Sequence, residues 1–399
     1  MTLRLLSLST LYPASVRPGF GRFVARQMEA LAARPDWDVT VINPIGLPPL
    51  PAALMPRSYE SLRGIPMLER RSGVPVHHPR FTLLPGLSGR INPALITRAV
   101  LPLARRLHAE QPFDLVDAQF FYPDGPAAAR IARALGLPYA IKARGSDIHA
   151  WGRTPAALRQ MREAARGAGQ LLSVSQALAD DMVDLGLPEL AITVHYTGLD
   201  RGRFHPRPRA AARTILAERF HLPPEGPLVA CVGALIPIKG QALAIRALAE
   251  PGMEGIALAV AGTGLDKAAL RALTRELDVA HRVHFLGGLG HDFVPVLMAG
   301  ASAMVLPSER EGLANVWIEA LACGTPLVIP DIGGAREVVT SAAAGRIAAR
   351  EPAAIARALA ALIAQPSAPE AVAACAARFS WEANAAALAE IYQKVVGGR

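Results

Sequence analysis

The sequence predicts an α/β protein with two domains, each built on a mostly parallel β-sheet. Short apolar runs alternate with Ala-rich helical runs along most of the chain, and this alternation is typical of βαβ units. The chain has 399 residues, about twice what one hydrophobic core usually holds, and 51% of the residues are hydrophobic. The alternation is interrupted near residues 197–227, a stretch rich in Arg, Pro and His that we interpret as a hinge.

The predicted elements form two series, one on each side of this hinge. The strands of the first series lie at residues 3–9, 39–42, 115–118, 139–143, 171–174 and 192–195. The strands of the second series lie at residues 228–232, 256–261, 283–286, 303–306 and 326–329. Helical patterns lie between them, for example at residues 22–33, 125–135, 176–185, 241–249 and 266–277. Residues 44–89 are rich in Pro and Gly, which predicts an irregular elaboration of the first domain.

The charge of the chain is uneven. The net charge is +9, but residues 1–166 carry 22 Lys and Arg against 11 Asp and Glu, whereas the remainder carries 20 against 22. A basic first half predicts anionic partners, which are phosphates, a membrane surface or nucleic acid. Nucleic acid is disfavoured, because the sequence contains no basic-aromatic module of the RRM, helix-turn-helix or zinc-finger kind.

Cysteine usage and hydropathy predict a cytoplasmic protein without a metal site. The three cysteines are far apart and have no metal-ligand spacing, which fits a reducing compartment. No apolar run reaches the roughly 18 residues that would span a bilayer. Asp36 and Asp38 spell a DxD sequence, but they precede the strand at 39–42, the wrong end of a parallel strand for a site.

The segment from Pro307 to Gly324 has the strongest functional signal. A polar loop follows the strand at 303–306, and a helix then starts near Ala314 and ends at Gly324. The free N–H groups at a helix start bind anions such as phosphates. Glu319 lies about one turn inside the helix, where a carboxylate can accept hydrogen bonds from two ribose hydroxyls. Glu311 lies in the loop and can reach the hydroxyls of a sugar.

Other candidate residues follow predicted strands. Lys239 follows the strand at 228–232 and a short loop, and its ammonium can stabilise the charge of a departing phosphate. Gly19 and Gly21 follow the first strand, where either a close approach to a ligand or a simple tight turn explains them. Arg144 follows the strand at 139–143, and its guanidinium can bind a phosphate through two hydrogen bonds. The alternative is that Arg144 pairs with Asp147 or another nearby acid and only shapes the loop.

These motifs resemble those of the retaining GT-B glycosyltransferases of family 4, and the resemblance extends over nearly the whole chain. In the second half of the chain, the resemblance rests on the E-x7-E spacing of Glu311 and Glu319 and on the run Glu-Ala-Leu-Ala-Cys-Gly. Segments 18–24, 232–240, 261–264, 285–287 and 331–337 resemble further landmarks of the family. Segments 122–125 and 144–148 resemble a branch that builds surface polysaccharides, and 379–382 resembles the start of a final helix that crosses back to the first domain.

The resemblance implies the GT-B fold, in which two Rossmann-like domains have parallel sheets that face each other across a cleft. It implies an acceptor-binding domain at residues 1–200, a hinge at 201–226, a nucleotide-sugar-binding domain at 227–380 and a crossover helix at 381–399. The implied reaction moves a hexose-type sugar from a nucleotide-sugar donor to a glycan acceptor, lipid-linked in this branch, with anomeric retention. No cofactor and no metal are implied, since the nucleotide sugar is a substrate and a lysine takes the place of the metal.

The resemblance also assigns roles to residues. The implied catalytic residues are Glu311, Lys239 and Arg144. The implied donor-binding residues are Gly233, Lys239, Gly262, Glu311, Gly312, Leu313, Ala314, Asn315 and Glu319. The implied acceptor or loop residues are Gly19, Phe20, Gly21, Asp124 and Asp147. Ala234 and Arg144 depart from the pattern, because many members have Arg and His there. We therefore expect Arg144 to supply the missing charge, either to the donor diphosphate or to the phosphate of a lipid-linked acceptor.

Two other functions remain open at this point. The chain could be a nucleotide-sugar epimerase of the same fold, or a non-catalytic subunit that binds nucleotide sugars within an assembly complex. A peripheral contact with an anionic membrane at the inner face is a further expectation. Its candidate segment is residues 92–110, where apolar residues alternate with Arg98, Arg105 and Arg106. An ordinary amphipathic core helix explains the same pattern.

Overall fold

The computed structural model describes residues 2–51, 57–290 and 292–398. The chain forms two compact units, Met1–Gly198 with Trp381–Arg399 and Leu199–Ser380. The eleven predicted strands are all present, and their ends lie within two residues of the prediction. The predicted α/β class with parallel sheets is confirmed. Among the described residues, no helix is long and apolar enough to cross a membrane.

The first unit is built on an eight-stranded sheet in the order β10-β9-β8-β7-β1-β2-β5-β4. Among the described strands of this sheet, β4 and β5 pair in antiparallel fashion and the other neighbours are parallel. The short strands β3 and β6 form a separate parallel pair. The strands of this unit are β1 Leu3–Leu8, β2 Trp37–Ile42, β3 Ile45–Leu47, β4 Leu68–Arg71, β5 Val74–His77, β6 Arg80–Thr82, β7 Leu115–Ala118, β8 Tyr139–Lys142, β9 Gln170–Ser173 and β10 Ile192–Val194.

Helices connect these strands and bury one apolar face each. In α3, the buried residues Ile96, Val100 and Ala104 recur every four positions and pack toward α4, and Pro102 is accommodated on the exposed side. The core-helix interpretation of residues 92–110 is therefore correct for this apolar stripe. The helices of the first series are α1 Arg22–Ala32, α2 Arg57–Arg63, α3 Asn92–Glu110, α4 Asp124–Leu135, α5 Pro155–Arg166 and α6 Gln176–Asp184.

The second unit is built on a six-stranded parallel sheet in the order β13-β12-β11-β14-β15-β16. The four central strands, β12, β11, β14 and β15, are buried on both faces, as expected where helices cover a parallel sheet. The strands are β11 Leu228–Val232, β12 Ala257–Ala261, β13 Val283–Gly287, β14 Ala303–Val305, β15 Leu327–Ile329 and β16 Gly345–Ile347. The helices are α7 Arg209–Phe220, α8 Gln241–Leu248, α9 Lys267–Glu276, α10 Phe293–Gly300, α11 Asn315–Ala322, α12 Ala335–Val338, α13 Pro352–Ala364 and α14 Pro369–Ala374.

Two stretches are more regular than the sequence predicts. Residues 44–89 contain β3 to β6, because β5 pairs with β2 and extends the main sheet despite the local Pro and Gly content. The stretch predicted as a linker, 201–226, contains α7, which packs on α10 inside the second unit. Arg213 is buried there and donates hydrogen bonds to the carbonyls of residues 223–226, which folds this segment onto its own helix.

The C-terminal helix, α15 Trp381–Gly397, packs in the first unit against α1. Tyr392 is fully buried, meets Trp37 edge to face with ring centroids 6.0 Å apart, and donates a 2.6 Å hydrogen bond to Oδ2 of Asp117. At the other end, Asn384 donates to the carbonyl of Tyr196 at 2.6 Å. The helix is thus held by an apolar face and by buried hydrogen bonds at two points.

We expect Tyr392→Phe to lower the free energy of unfolding of the first unit by about 1–3 kcal/mol, because the buried Asp117 carboxylate loses a donor. Thermal and urea unfolding should report the loss, while Glu390→Gln on the exposed side of the same helix should change little. A Tyr392→Phe chain as stable as the wild type would show that this hydrogen bond does not hold the helix.

Candidate active site

In the second unit, loops at the carboxyl ends of the strands approach each other closely at glycines. A Cβ on Gly262, which has a φ of 149°, would lie 1.9 Å from the carbonyl oxygen of Gly233. A Cβ on Gly240 would lie 2.2 Å from the carbonyl oxygen of Pro307. Both contacts join the loop after β11 to its neighbours, so these positions require glycine for packing whatever ligand they contact.

The loop contacts bring together two residues that lie 72 positions apart in the sequence. The ammonium of Lys239 donates a 2.5 Å hydrogen bond to Oε1 of Glu311, and the side chains keep 24% and 11% of their surface exposed. An anionic ligand could therefore engage the Lys239 ammonium, and hydroxyl donors could engage the second oxygen of Glu311. The sequence predicted both residues as parts of one site, and the structure places them in direct contact.

The loop after β14 leads into α11 without a side-chain cap. Ala314 is the N-cap residue and offers no side-chain acceptor to the first N–H groups of the helix. Gly312, Leu313 and Ala314 are buried and Asn315 is partly exposed, so the backbone rather than long side chains forms this end of the site. An uncapped helix N-terminus beside a lysine has the polarity that binds phosphate.

Glu319 lies in the second turn of α11 and is partly exposed. Burial raises the pKa of its carboxyl from 4.5 to about 7. None of the residues that the structure describes donates a hydrogen bond to its carboxylate. A carboxylate that has lost water without gaining a protein donor can accept hydrogen bonds from the hydroxyls of a ligand. The contact of Glu319 with a ribose stays a prediction.

In the first unit, the loop after β1 contains the glycines and the aromatic residue that the sequence predicted. Gly21 is the N-cap of α1 with a φ of 66°, and a Cβ there would lie 2.5 Å from the carbonyl oxygen of Leu11. Gly19 has no heavy atom within 4 Å of a Cβ position, and Phe20 is 42% exposed. Gly21 is therefore required by the geometry of the turn, whereas Gly19 and Phe20 remain accessible to a ligand.

Asp124 and Asp147 are fully buried, which corrects their predicted contact with an acceptor. Asp124 accepts the N–H of Thr10 at 2.8 Å, and burial raises the pKa of its carboxyl to about 8. Asp147 accepts four backbone N–H groups at 2.6–3.1 Å, from residues 121, 144, 145 and 148. Asp147 therefore shapes its loop, because the buried backbone around it uses both of its oxygens. Asp124 bonds the backbone through Oδ2 only, and its buried Oδ1 has no partner among the described residues.

Arg144 is held by neutral acceptors and not by a carboxylate. Its Nε donates to the carbonyl of Gln119 at 3.0 Å, and its Nη2 donates to Oε1 of Gln119 and, at 3.3 Å, to Oε1 of Gln27. The guanidinium carbon lies 5.0 Å from the ring centre of Phe23. Burial lowers the pKa of Arg144 to about 10, so the side chain remains a cation at neutral pH. Asp147 binds the backbone of Arg144, so the predicted alternative of a side-chain pair with Asp147 is wrong.

Sequence reasoning missed the buried polar residues beneath Arg144. Lys142, the last residue of β8, is fully buried and donates to Oε1 of Gln27 at 3.1 Å and to Nδ1 and the carbonyl of His195 at 2.6 and 3.0 Å. Nε2 of His195 in turn donates to the carbonyl of Asn384 at 2.9 Å. The signal in the sequence that could have revealed these residues is a lysine at the end of an apolar strand, because lysine is almost never fully buried without a partner.

The raised pKa of Glu319 predicts a pH-dependent stability. Because the folded-state pKa lies above the unfolded value, the second unit should lose stability as the pH rises from about 4.5 to about 7. Glu319→Gln should therefore raise the melting temperature relative to wild type at pH 8 and leave it nearly unchanged at pH 5. Glu276→Gln, at an exposed position of α9, is the control and should have no such pH dependence. An equal effect of Glu319→Gln at both pH values would contradict the prediction.

Comparisons with known sequences give the family. Residues 213–379 match the glycosyl transferases group 1 model, and residues 19–198 match the glycosyl transferase 4-like domain. The Bacillus subtilis protein TuaC, named a glycosyltransferase of teichuronic acid biosynthesis, is 28% identical over 83% of this chain and 82% of its own length. The GDP-mannose-dependent α-(1-6)-phosphatidylinositol monomannoside mannosyltransferase of Mycolicibacterium smegmatis is 30% identical over 68% of this chain and 70% of its own.

Solved structures agree on the fold. HepE of Anabaena, solved in complex with UDP, has a TM-score of 0.74 and 22% identity over 98% of this chain and 100% of its own. A sucrose-phosphate synthase from Thermosynechococcus elongatus has a TM-score of 0.77 and 19% identity over the full length of both chains. Since both halves match glycosyltransferase models and a mannosyltransferase is 30% identical over more than two thirds of both chains, this chain belongs to the group 1 glycosyltransferases, and the solved structures show that it has the GT-B fold.

Proposed function

We propose that this chain is a retaining glycosyltransferase that moves a hexose-type sugar from a nucleotide sugar to a lipid-linked glycan acceptor in cell-surface polysaccharide synthesis. The observation that carries the proposal is the Glu319 carboxylate, which lies on α11 beyond the Lys239–Glu311 pair and accepts no hydrogen bond from the described residues. Names of relatives support the acceptor class, since one is assigned to teichuronic acid and another acts on a phosphatidylinositol mannoside.

In this proposal, the second unit binds the donor. Glu319 accepts the ribose hydroxyls, the uncapped start of α11 binds the diphosphate, and Lys239 neutralises it. Glu311 then exchanges part of its pairing with Lys239 for hydroxyls of the sugar. Gly233, Gly262 and residues 312–315 supply backbone close to the donor. The UDP and UDP-glucose found with HepE are consistent with a donor of this chemical class.

The chemical step needs no nucleophile from the protein. The acceptor hydroxyl oxygen forms a bond to the anomeric carbon while the bond from that carbon to the phosphate oxygen breaks, and the diphosphate leaves with the electron pair. The hydroxyl proton passes to the departing phosphate oxygen on the same face, which retains the anomeric configuration. Lys239 and the helix terminus stabilise the charge that develops on the diphosphate, in place of a metal ion. The acceptor binds the first unit, where Gly19 and Phe20 remain accessible.

The epimerase and non-catalytic alternatives receive less support. The relatives carry transferase names, and the loop of the first unit keeps an accessible glycine and an exposed phenylalanine that a binding subunit for donors alone would not need. Release of free nucleotide that depends on an added acceptor separates the transferase from both alternatives.

A peripheral contact with the inner face of the membrane completes the proposal. The apolar stripe of α3 is buried and cannot contact lipid. We therefore assign the membrane contact of this helix to its exposed residues Arg98, Arg105 and Arg106. The loop just before α3 exposes Leu84, Leu87 and Ile91 to 37%, 81% and 51%. Exposed apolar side chains next to arginines suit an anionic lipid surface, because the charges attract the headgroups and the apolar groups enter the boundary.

The site assignment predicts a division between two variants. Glu319→Ala should weaken donor binding ten-fold or more, because two ribose hydrogen bonds to a charged group are lost. Glu311→Ala should mainly lower turnover, since its partner is the sugar whose charge changes during transfer. Thermal shift with UDP, GDP and ADP sugars identifies the donor, and nucleotide release with and without acceptor, in EDTA, measures transfer. Wild-type affinity and rate in both variants would overturn the assignment.

The membrane contact predicts weak, salt-sensitive sedimentation with vesicles of phosphatidylglycerol and phosphatidylcholine. Leu87→Ser should reduce binding several-fold, and raising the salt concentration should release the protein because it screens the arginines. Leu265→Ser removes an equally exposed leucine from the second unit and should leave binding unchanged. Absence of sedimentation at low salt, or equal loss in the two variants, would rule the contact out.

A further inference from the structure

The guanidinium of Arg144 has one occupied edge and one available end. Nε and Nη2, which lie along the same edge of the guanidinium plane, donate to Gln119 and Gln27. Phe23 lies over the guanidinium at 5.0 Å. Among the described residues, no acceptor is recorded for Nη1, and the side chain is partly exposed. An arginine fixed in this way can present one terminal nitrogen to a ligand without rearranging.

The two glutamines are fixed in turn by their own hydrogen bonds. Nε2 of Gln119 donates to Oδ2 of Asp117 at 2.6 Å, and Nε2 of Gln27 donates to Oε1 of Gln119 at 2.9 Å. Each amide nitrogen is therefore used on an acceptor, so each amide oxygen points toward a cation. Oε1 of Gln27 accepts from both Lys142 and Arg144. The orientation of both amides follows from the network and leaves no equivalent flipped arrangement.

We propose that Gln27 and Gln119 are positioning residues that hold Arg144 so that its free end binds a phosphate group of the substrate. This inference rests on the proposed function only in taking a phosphate as the ligand. Neutral amides suit the task better than carboxylates, because a carboxylate at either position would neutralise the guanidinium before a phosphate arrived. The nearest carboxylates are engaged elsewhere, since Asp147 binds backbone N–H groups and Asp117 binds Tyr392 and Gln119.

The C-terminal helix belongs to this arrangement. Tyr392 donates to the same oxygen of Asp117 that accepts from Gln119, with distances of 2.6 Å in both hydrogen bonds. Asp117 thus fixes the amide of Gln119 while the helix fixes Asp117. Tyr392, Asp117 and Gln119 are fully buried, so solvent does not compete with the hydrogen bonds between them, and Arg144 is the first residue of this chain of contacts that reaches solvent.

The test measures phosphate binding rather than sugar transfer, with inorganic pyrophosphate as the probe and the full chain as the protein. Lys239→Ala serves as the background, because it removes the cation of the second unit. In that background, Gln119→Ala should weaken the affinity about five-fold or more by titration calorimetry, and Arg144→Ala should weaken it at least as much. Gln365→Ala, an exposed glutamine of the second unit, is the matched control and should have no effect.

A rescue experiment separates positioning from a general structural role. In the Lys239→Ala/Arg144→Ala chain, millimolar guanidinium chloride should bind beside Gln27 and Gln119, where the Arg144 side chain lies in the wild type. It should restore part of the pyrophosphate affinity, whereas sodium chloride should not. Adding Gln119→Ala should abolish the rescue. Equal rescue with and without Gln119, or an unchanged affinity in the Gln119→Ala chain, would overturn the proposal.

A second variant keeps the proposal testable if Gln119→Ala folds poorly. Gln27→Glu retains acceptors for both Lys142 and Arg144 and loses the one hydrogen bond that Nε2 of Gln27 donates to Oε1 of Gln119. The added negative charge should weaken pyrophosphate binding several-fold. An affinity equal to or tighter than that of the background would contradict the proposal. A wild-type chain that shows no acceptor-dependent transfer, while the pyrophosphate effects are as expected, would instead count against the proposed function alone, so the two failures are distinguishable.

Discussion

The first unit depends on the mutual hydrogen bonding of polar side chains buried at the carboxyl edge of its sheet. A buried charge destabilises a fold by several kcal/mol unless partners replace the lost water. Lys142 illustrates the solution, since burial lowers the pKa of its amine well below the usual value and its Nζ lies within hydrogen-bonding distance of three acceptor atoms of Gln27 and His195. Those acceptors come from α1 and from the residue after β10, so the elements must lie where they do for the lysine to be tolerated. The same requirement fixes the C-terminal helix through Asp117 and Tyr392.

The candidate site of the second unit does not depend on such a cluster of mutually hydrogen-bonded side chains. There, glycines allow backbone to approach backbone, and the functional side chains keep unused bonding capacity. Glu319 is the clearest case, because burial raises the pKa of its carboxyl to about 7 while no described residue donates to it. A fold that tolerates such a group gives up stability for binding, which is a common property of active sites. Lys239 and Glu311 satisfy each other through one hydrogen bond, and both side chains remain partly exposed.

The stretches whose structure differs from the sequence-based prediction differ for the same physical reason. Residues 44–89 look irregular because Pro and Gly dominate their local pattern, yet β5 forms because β2 offers it an unpaired edge. The segment at 201–226 looks like a linker because Arg, Pro and His dominate it, yet Arg213 binds carbonyls that would otherwise be unsatisfied. In α3 the apolar stripe fits a membrane or a core equally well, and only the neighbouring α4 decides in favour of the core. Local composition cannot report a partner that lies far away in the chain.

The sequence by itself determined eleven of the described strands with the helices between them, the two-sheet class, and the choice of Lys239, Glu311 and Glu319 as candidate donor-site residues. These features are local, since alternation, loop position and the spacing within one helix are all readable along a short window. Tertiary structure alone decided that Asp147 shapes a loop, and that Gln27 and Gln119 hold Arg144. Gln27 and Arg144 are 117 positions apart in the sequence, and the hydrogen bond from Tyr392 to Asp117 spans 275 positions. Hydrophobic periodicity shows which faces are buried, but not which buried polar groups meet, because that depends on the packing of the whole unit.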